Sequence, residues 1–249
     1  MLNPGQRLMS LPYIVRQAAR FTAAAAIVGT LAGCQGIAGS ASLSQVRIID
    51  ASPDAPGLDI YQGSDALAYN LGLGTITSYV PIAPGTYTTA AASAGTRQVL
   101  SSSKATFAAS SQYTVLIGNS AAGPQHLVLK DQSQPAPPGQ IAIRFINQAA
   151  RISAVDVYLV PAGQKLAAVT PVVTGHSFGA NTGYLNIPTG TYTLVMAPAG
   201  TAVASYAGAQ VTYPGGAART IILIDQQLIT TPGLQVITAN DYDSPTVTN

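Results

Sequence analysis

An internal repeat constrains the fold of this chain more than any other sequence feature. The segment from "VRIID" to "LDIY", beginning at Val46, aligns without a gap on "IRFIN" to "VDVY", beginning at Ile143, at an offset of 97 residues. "YVPIAPGTYT" at Tyr79 matches "YLNIPTGTYT" at Tyr184 at an offset of 105, so the second copy carries eight extra residues (105 − 97) between Tyr158 and His176. A looser match joins "YTVLIG" to "RTIILID" further on. The chain therefore predicts two copies of one structural unit.

Composition assigns both copies to the all-β class. The chain lacks glutamate and has three lysines, so good helix formers are scarce, while strand formers and turn formers are abundant. Short apolar or alternating runs such as "QVRIID" and "YTVLIG" recur between turns that contain Gly and Pro. This spacing is typical of sandwiches and barrels. We predict two tandem immunoglobulin-like β-sandwich domains after an N-terminal signal segment.

The predicted organisation has six parts. They are a lipoprotein signal peptide over 1–33, a tether over 34–44, a first β-sandwich over 45–131, a Pro-rich linker over 132–139, a second β-sandwich over 140–243 and a tail over 244–249. The linker "QSQPAPPG" favours extended polyproline geometry, which predicts a semi-rigid spacer.

The N-terminus predicts export and a membrane anchor. A basic segment precedes the uncharged run "FTAAAAIVGTLAG", which at about thirteen residues is too short to span a bilayer as a helix. The following "LAGC" resembles the bacterial lipobox, in which the signal is cleaved before a cysteine that is then lipidated. That residue is Cys34, the one cysteine of the chain. The predicted partner is thus a membrane, reached through lipidated Cys34, and Gln35 beside it favours the outer membrane of a bacterial cell envelope.

The first copy resembles a known bacterial family. "VRIIDASPDAPGLDIY" followed by "LGLGTITSYVPIAPGTYT" is similar to the family designated domain of unknown function 4397, whose members share an "ASPDAP" turn, a "VDVY" strand and an "AGTY" turn. The second copy keeps "VDVY" and "TGTYT" but has "NQAARISA" in place of the acidic turn, and the resemblance covers roughly residues 45–243. It implies the sandwich fold and an envelope address, and it carries no activity or binding residue.

Charge and residue spacing exclude several function classes. Charged residues make up 8% of the chain, against about 25% in typical globular proteins, and the formal net charge is +2. Nucleic-acid binding needs clustered Lys and Arg, so no nucleic-acid partner is predicted. One cysteine and two distant histidines give no zinc ligand set. We predict no metal, no cofactor and no catalytic residue.

Two kinds of charged site remain as hypotheses. The first copy has three acids close together, Asp50, Asp54 and Asp59, which form either a turn between strands or the start of a calcium site. Both copies share an arginine twelve residues before an aspartate (59 − 47 and 156 − 144). On a strand-turn-strand interpretation these residues lie opposite each other. We therefore predict structural ion pairs between Arg47 and Asp59 and between Arg144 and Asp156.

The segment Gly175–Gly179, "GHSFG", fits the G-x-S-x-G pattern of a hydrolase nucleophile elbow. The elbow requires a strand before the serine and a helix after it, whereas "ANTGYLNIPTGTY" follows Phe178. The hydrolase triad runs in the chain order Ser, acid, His, but neither histidine lies downstream of Ser177, since His126 and His176 both precede it. Catalysis by Ser177 is therefore the least favoured hypothesis, and the chain is predicted not to be an enzyme.

The predicted function is a non-catalytic structural or partner-binding module of the envelope, with an unknown protein or glycan as partner. The extra residues of the second copy, around Gly163 to Thr174, are the predicted place for a functional loop. Carbohydrate binding is the alternative, since sugars stack on exposed aromatic rings. Most tyrosines occupy matching repeat positions, which suggests core or corner roles, so the platform would fall to the tyrosines without a counterpart, namely Tyr206, Tyr213 and Tyr242.

Overall fold

The computed structural model describes residues 42–120, 122–227 and 233–243. This part of the chain belongs to one compact unit, Ser40–Asn249, and contains sixteen strands, one three-residue 3₁₀ turn and no α-helix. No helix within these described ranges has both the length and the apolar character needed to cross a bilayer. The prediction of an all-β chain is confirmed.

The strands fall into two sets of eight. The first set is β1 (Ser44–Asp50), β2 (Leu58–Gln62), β3 (Asp65–Leu71), β4 (Val80–Ile82), β5 (Gly85–Ser93), β6 (Val99–Phe107), β7 (Gln112–Gly118) and β8 (Gln125–Lys130). The second set is β9 (Gln140–Asn147), β10 (Val155–Pro161), β11 (Val173–His176), β12 (Asn181–Pro188), β13 (Gly190–Pro198), β14 (Tyr206–Tyr213), β15 (Ala218–Asp225) and β16 (Leu234–Tyr242). The 3₁₀ turn, Leu166–Ala168, lies between β10 and β11.

Each set builds one sandwich of two four-stranded sheets, and the two sandwiches repeat the same strand order. The first sandwich has an inner sheet β4-β1-β7-β8 and an outer sheet β3-β2-β5-β6. The second has an inner sheet β12-β9-β15-β16 and an outer sheet β11-β10-β13-β14. In each inner sheet the first strand of the copy pairs in parallel with the seventh, as in the registers Ile48↔Val115 and Phe145↔Ile221. Every strand of one copy thus has an equivalent eight strands later.

The inner sheets are buried on both faces, and their sequences show why. In β1, Val46 and Ile48 point into the first sandwich, whereas Ile49 packs on the opposite side of the sheet. In β7, Val115 belongs to the sandwich core and Leu116 to the opposite face. A sheet covered on both sides needs continuous apolar runs, while a sheet with one solvated face alternates. The runs "VRIID" and "TVLIG" are of the first kind.

Three apolar clusters hold the layers together. One fills the first sandwich around Leu58, Phe107 and Val115, and one fills the second around Phe145 and Met196. The third joins the two inner sheets face to face, and its buried members are Ile49, Ala51, Leu116, Ile146, Ile222, Ile224, Ile237 and Ala239. The described residues therefore form a four-layer stack in the order outer, inner, inner, outer.

The linker does not hold the sandwiches apart as a spacer. Ala136 is buried against Ala142 and Ala218 of the second inner sheet, and the inner sheets touch directly. The close approach also explains a glycine. A Cβ on Gly118 would lie 1.9 Å from Oε1 of Gln148, so a side chain at the end of β7 would displace its neighbour in the other copy.

Candidate functional site

The predicted ion pairs Arg47–Asp59 and Arg144–Asp156 are corrected by the structure. Arg47 lies on β1 of an inner sheet, whereas Asp59 lies on β2 of an outer sheet, and Arg144 and Asp156 are separated in the same way. The turn between β1 and β2 carries the chain from one sheet to the other instead of closing a hairpin. The two arginines point away from their own sandwich cores and into the interface between the copies.

Arg47 bonds across that interface to the second copy. Its Nη2 contacts the carboxylate of Asp241 in an ion pair, and Nη1 donates to the carbonyl oxygen of Asn240 at 2.6 Å. Within its own copy, Nε donates to Oγ1 of Thr114 at 2.9 Å. A second carboxylate, that of Asp131, lies 3.7 Å from Nη2. The guanidinium is thus fully surrounded by acceptors, and the residue is 2% exposed.

Arg144 repeats this arrangement in the opposite direction. Its Nη2 donates to Oδ1 of Asp131 in the first copy at 2.7 Å, and Nη1 donates to the carbonyl oxygen of Lys130 at 3.0 Å. Its Nε donates to Oγ1 of Thr220 at 3.0 Å within its own copy. Each arginine therefore ties its own seventh strand to the last strand of the other copy. We call these residues, with the two tyrosines described next, the crossed ion-pair cluster.

Two tyrosines close the cluster. Tyr79 donates its hydroxyl to Asp131 at 2.8 Å, and its ring lies 4.9 Å from Cζ of Arg47. Tyr184 donates to Asp241 at 2.9 Å, and its ring lies 4.7 Å from Cζ of Arg144. Burial, together with the carboxylates that accept from these hydroxyls, raises the pKa of both phenols. Both rings therefore stay neutral and act as donors and as cation-π partners.

The balance of charges at the interface keeps Arg47 ionised. Burial alone would lower the pKa of Arg47, but the facing Asp241, Tyr79 and Asp131 outweigh burial and raise it. Two cations and two anions neutralise each other, and the threonine hydroxyls donate to the remaining carboxylate oxygens at 2.6 and 2.7 Å. A neutral network of this kind, with its guanidinium and carboxylate groups buried and paired, holds the two facing surfaces together.

Equivalent positions meet where the two copies face each other. Asp54 of the first copy forms an ion pair with Arg151, which occupies the same position in the second copy (54 + 97). Both side chains are partly exposed, and the amide of Asn119 also donates to Asp54 at 2.6 Å. Contact between equivalent residues is what an approximate two-fold axis produces, as in an isologous dimer. The interface is thus a pseudo-symmetric dimer interface within one chain.

The acidic turn of the first copy is a turn, and its acids have separate partners. Asp50 accepts from the backbone N–H of Ser52 at 3.0 Å, and its counterpart Asn147 accepts from Ala149 in the same way at 2.9 Å. In both copies the side-chain oxygen thus accepts from the backbone N–H two residues further on, as in an Asx-turn, and the second copy uses an amide where the first uses a carboxylate. Within the described ranges, no group of three or more His, Cys, Asp or Glu side chains is arranged to hold a metal ion.

Asp59 and Asp156 anchor loops of the outer sheets. Asp59 accepts from the backbone N–H groups of Asn70 at 2.8 Å and Gly95 at 3.0 Å. Asp156 accepts from Gly175 at 2.7 Å and Gly200 at 2.8 Å. Each buried carboxylate thereby ties a neighbouring strand, β3 or β11, to a loop, and the acids shared by both copies have a backbone-ordering role rather than an ion-pair role.

The "GHSFG" segment does not have the geometry of a nucleophile elbow. Its first residues end β11 at His176, and the chain then turns and enters β12 at Asn181 instead of a helix. His176 is buried with no partner for Nε2 among the described residues, and burial lowers its pKa. The backbone carbonyl of His176 accepts from the amide of Asn147 at 2.8 Å. Ser177 therefore lies on a turn beside a buried imidazole that is engaged in packing.

His126 sits at the open edge between β8 and the outer sheet of the first sandwich. Its Nε2 is 2.8 Å from Oγ1 of Thr89, while its Nδ1 is buried without a partner in the described part of the chain. Burial lowers the pKa of His126 to about 4. The ring is therefore neutral at pH 7, and its role is that of a packed strand residue.

The described surface has one aromatic feature that the sequence interpretation did not identify. On the solvent face of the first outer sheet, Tyr69 is 68% exposed and meets Tyr61 edge to face, with ring centroids 6.4 Å apart. Cζ of Arg97 lies 5.3 Å from the centroid of the Tyr61 ring. Tyr61 and Arg97 line a shallow recess of about 160 Å³, together with Gly63, Ala90, Ala92 and Val99, and Tyr69 stands beside it through its contact with Tyr61. We call it the outer-face recess.

The second copy fills the same surface with its own chain. Tyr158, the counterpart of Tyr61, is 7% exposed because Leu166 and Val169 of the extra residues pack on it. The same segment covers Val160 and Val195, which correspond to Gly63 and Ala90 of the recess. Within the extra residues around Gly163 to Thr174, the predicted place for a functional loop, Leu166 and Val169 thus form an apolar cover on the outer sheet.

The tyrosines predicted to form a platform do not lie together on one exposed surface. Tyr213 is buried in the core of the second sandwich, Tyr206 packs against that core, and Tyr242 packs with Ala136 and Tyr184. The same criterion, a tyrosine without a tyrosine at the matching repeat position, also applies to the exposed Tyr69, because its counterpart 105 residues later is Thr174. Cys34, the signal peptide, most of the tether and the tail lie outside the described residues.

The fold and site define a class: an all-β double sandwich whose two halves are joined by a buried crossed ion-pair cluster. Residues 44–158 match the family model described as Domain of unknown function (DUF4397), the family that the sequence resemblance indicated. The match runs from β1 to the middle of β10.

Comparisons with other proteins add little beyond the fold. Among curated proteins, none matches this chain in sequence. One similar solved structure is the crystal structure of CBMbc (family CBM26) from Eubacterium rectale Amy13K in complex with maltoheptaose. The likeness has 9% sequence identity and a TM-score of 0.23, and covers 81% of this chain and 98% of that chain. At this level it carries no argument about a ligand or an activity.

Proposed function

We propose that this protein is a lipid-anchored module of the bacterial cell envelope that binds a partner and catalyses no reaction. The observation that carries the proposal is the lipobox-like "LAGC" ending at Cys34, placed after a basic segment and a short apolar run. Several acyl chains on one cysteine, each contributing about 0.8 kcal/mol per buried methylene, would hold the chain on a bilayer. Gln35 supports the outer membrane as the address.

The non-catalytic part of the proposal is supported by how the described polar residues are used. The buried arginines and aspartates are bonded to one another or to backbone N–H groups, and both histidines have lowered pKa values through burial. The turn that holds Ser177 is followed by a strand. Ser177→Ala should therefore leave any weak esterase activity of the pure protein unchanged, and loss of such activity on this change would contradict the proposal.

Metabolic labelling with an alkyne-tagged fatty acid tests the anchor. The unaltered chain should carry the label and sediment with membranes, and outer-membrane fractions should be enriched after density separation. Cys34→Ser is the matched control, because it removes the acceptor thiol and leaves every residue of the two sandwiches intact. An unlabelled wild-type chain, or one released into the soluble fraction, would overturn the proposal.

Carbohydrate binding is the second candidate function. The observation that favours it is the exposed aromatic pair of the outer-face recess, Tyr61 and Tyr69, with the guanidinium of Arg97 beside it. A pull-down of envelope components separates this candidate from binding of a protein partner.

A further inference from the structure

We infer that the outer-face recess of the first sandwich is a saccharide-binding site, in which a sugar ring stacks on Tyr69 and hydrogen-bonds to Arg97. The inference names a ligand class for the proposed binding module, and it rests on that part of the proposed function but not on the lipid anchor. Four independent features of the described residues support it.

The first feature is the difference between the two copies. In the second sandwich, the equivalent surface is covered by Leu166 and Val169, which bury Tyr158. In the first sandwich the chain passes directly from β2 to β3 through a short turn, and nothing among the described residues covers Tyr61 in this way. The same scaffold position is therefore closed by the chain itself in one copy and open to a ligand in the other.

The second feature is the aromatic geometry. The Tyr69 ring stands at 88° to that of Tyr61 in an edge-to-face contact, while 68% of Tyr69 remains exposed. An aromatic side chain orders with few rotatable bonds and offers a flat apolar face with a polar tip. The face of a pyranose ring that carries axial C–H groups is complementary to such a ring, and its hydroxyls remain available for hydrogen bonds.

The third feature is a set of polar groups beside the rings. The exposed guanidinium of Arg97 contacts the Tyr61 ring and forms no hydrogen bond or ion pair with other described residues. Its counterpart in the second copy is Ala202 (97 + 105), so the cation is specific to the open recess. Across the sheet, Tyr61 pairs with Ala90 and Ala90 with Ser102, which is exposed and places a hydroxyl at the far side. Such donors and acceptors match sugar hydroxyls or a uronate carboxylate.

The fourth feature is the shape and polarity of the recess, which favour a sugar over an apolar peptide. The residues Val160 and Val195, on which the second copy packs its own segment, are replaced by Gly63 and Ala90 in the first. The apolar area offered to an aliphatic side chain is therefore smaller, while ring and guanidinium surface is larger. The volume of the recess, about 160 Å³, is also smaller than that of typical enclosed ligand pockets, which is about 300 Å³ or more. A small, open recess is what stacking of a sugar on a surface ring requires.

The test is a glycan array that spans neutral, amino and acidic sugars, probed with the full chain in detergent. Affinity electrophoresis through the matching soluble polysaccharide then measures relative affinity. We expect Tyr69→Ala to weaken binding roughly tenfold, since an aromatic contact of this kind is worth up to about one decade in affinity. Arg97→Gln should weaken it as well, and Ala90→Val, which introduces the residue of the second copy, should reduce it by narrowing the recess.

Phe178→Ala is the matched control, because Phe178 is an exposed aromatic of the second sandwich outside the recess. This variant should bind like the unaltered chain. An array without any retained sugar, or binding that survives both Tyr69→Ala and Arg97→Gln, would overturn the inference. So would recess-dependent binding of a synthetic peptide of residues 163–172 in the absence of sugar binding.

The outcome of the glycan array can be distinguished from the outcome of the fatty-acid labelling experiment. A Cys34→Ser chain that binds sugar through Tyr69 would support the inference whatever the labelling experiment shows. A chain that is lipidated but binds no sugar would leave the anchor standing and remove the inference.

Discussion

Arg47 and Arg144 illustrate what a buried cation requires. Each is almost fully removed from water, and each donates to a threonine hydroxyl, a backbone carbonyl and a carboxylate of the opposite copy. Removing a charge from water costs several kcal/mol unless close partners replace the lost hydration. The partners here come from both copies, so the arginines are satisfied only when the inner sheets face each other.

Replacing either arginine by methionine should therefore destabilise the protein strongly. Arg47→Met leaves the carboxylate of Asp241 buried without its cation, whereas Arg144→Met leaves Asp131 with only the longer 3.7 Å contact to Arg47. We expect a loss of about 3–5 kcal/mol in the free energy of unfolding for Arg47→Met. The loss for Arg144→Met should be large but smaller, because Asp131 keeps one cation nearby, and urea unfolding at pH 7 measures both.

Arg151→Met is the control for this pair of variants. Its ion pair with Asp54 lies at the rim of the same interface, with 35% and 48% of the two side chains exposed. Exposed pairs contribute at most about 1 kcal/mol, so this variant should stay close to the unaltered protein. Equal effects of Arg47→Met and Arg151→Met would contradict the structural role assigned to the crossed cluster.

His126 should make stability depend on pH. Its pKa falls from an ordinary 6.5 to about 4 on folding, so protonation favours the unfolded chain. The stabilisation is complete above pH 6.5 and is lost progressively as the pH falls from there to about 4. The free energy of unfolding should drop by on the order of 1–3 kcal/mol over this window.

His126→Gln is the variant that tests this dependence, because glutamine can still bond Thr89 and does not titrate. Its urea midpoint should fall less than that of the unaltered protein between pH 7.5 and pH 4.5. Both histidines have lowered pKa values, so a smaller dependence from His176 remains in the variant. Identical pH profiles for the two proteins would show that His126 is not the group responsible.

At the scale of elements, strands were predictable and their partners were not. Runs such as "VRIID" and "TVLIG" predict strands from composition alone, and the repeat predicts that both copies share them. Sheet membership depends instead on how a turn directs the chain, and "ASPDAPG" sends β2 into the outer sheet. A hairpin and a sheet-to-sheet crossing are equally compatible with that turn sequence, which is why Arg47 was placed opposite Asp59.

The extra segment of the second copy is an element with a packing role. Leu166 covers Tyr158 and Val160 on the outer sheet. Leu166→Ala should lower the free energy of unfolding by about 1–3 kcal/mol. This is less than the about 2–5 kcal/mol lost when a fully buried leucine is truncated, because Leu166 is only half-buried.

Gln164→Ala, on the exposed part of the same segment, should leave thermal stability nearly unchanged. Differential scanning calorimetry of both variants checks the contrast. If Leu166→Ala were as stable as Gln164→Ala, the segment would have to be regarded as a loop that does not contribute to packing.

At the scale of the molecule, the four sheets should unfold as one cooperative unit. The apolar cluster between the inner sheets and the crossed ion-pair cluster connect the sandwiches over their whole facing surface. We expect one calorimetric transition with a ratio of van't Hoff to calorimetric enthalpy close to one. Ile224→Ala, in the interface, should lower its midpoint by removing about 2–5 kcal/mol, whereas exposed Val203→Ala should not.

Two separable transitions in the unaltered protein would contradict this expectation. The interface could not have been predicted from the sequence, because the ion pair of Arg47 with Asp241 joins residues 194 positions apart. The repeat nevertheless contained a signal. Thr114 and Thr220 occupy aligned strands, and an aspartate lies at the end of the last strand of each copy, Asp131 directly after β8 and Asp241 as the second-last residue of β16.

The crossing of the arginines has a consequence for how this chain can change. A substitution at Arg47 can be compensated at Asp241 of the opposite half, but not by any adjustment in the arginine's own half at Asp59. Substitutions in the two halves are therefore coupled, and a foreign module without matching partners could not replace either half. Either half produced alone, with the chain divided within residues 132–139, would expose its apolar inner face to water and lose the carboxylate that its arginine bonds in the other half, so the single sandwich is a poor unit for dissection.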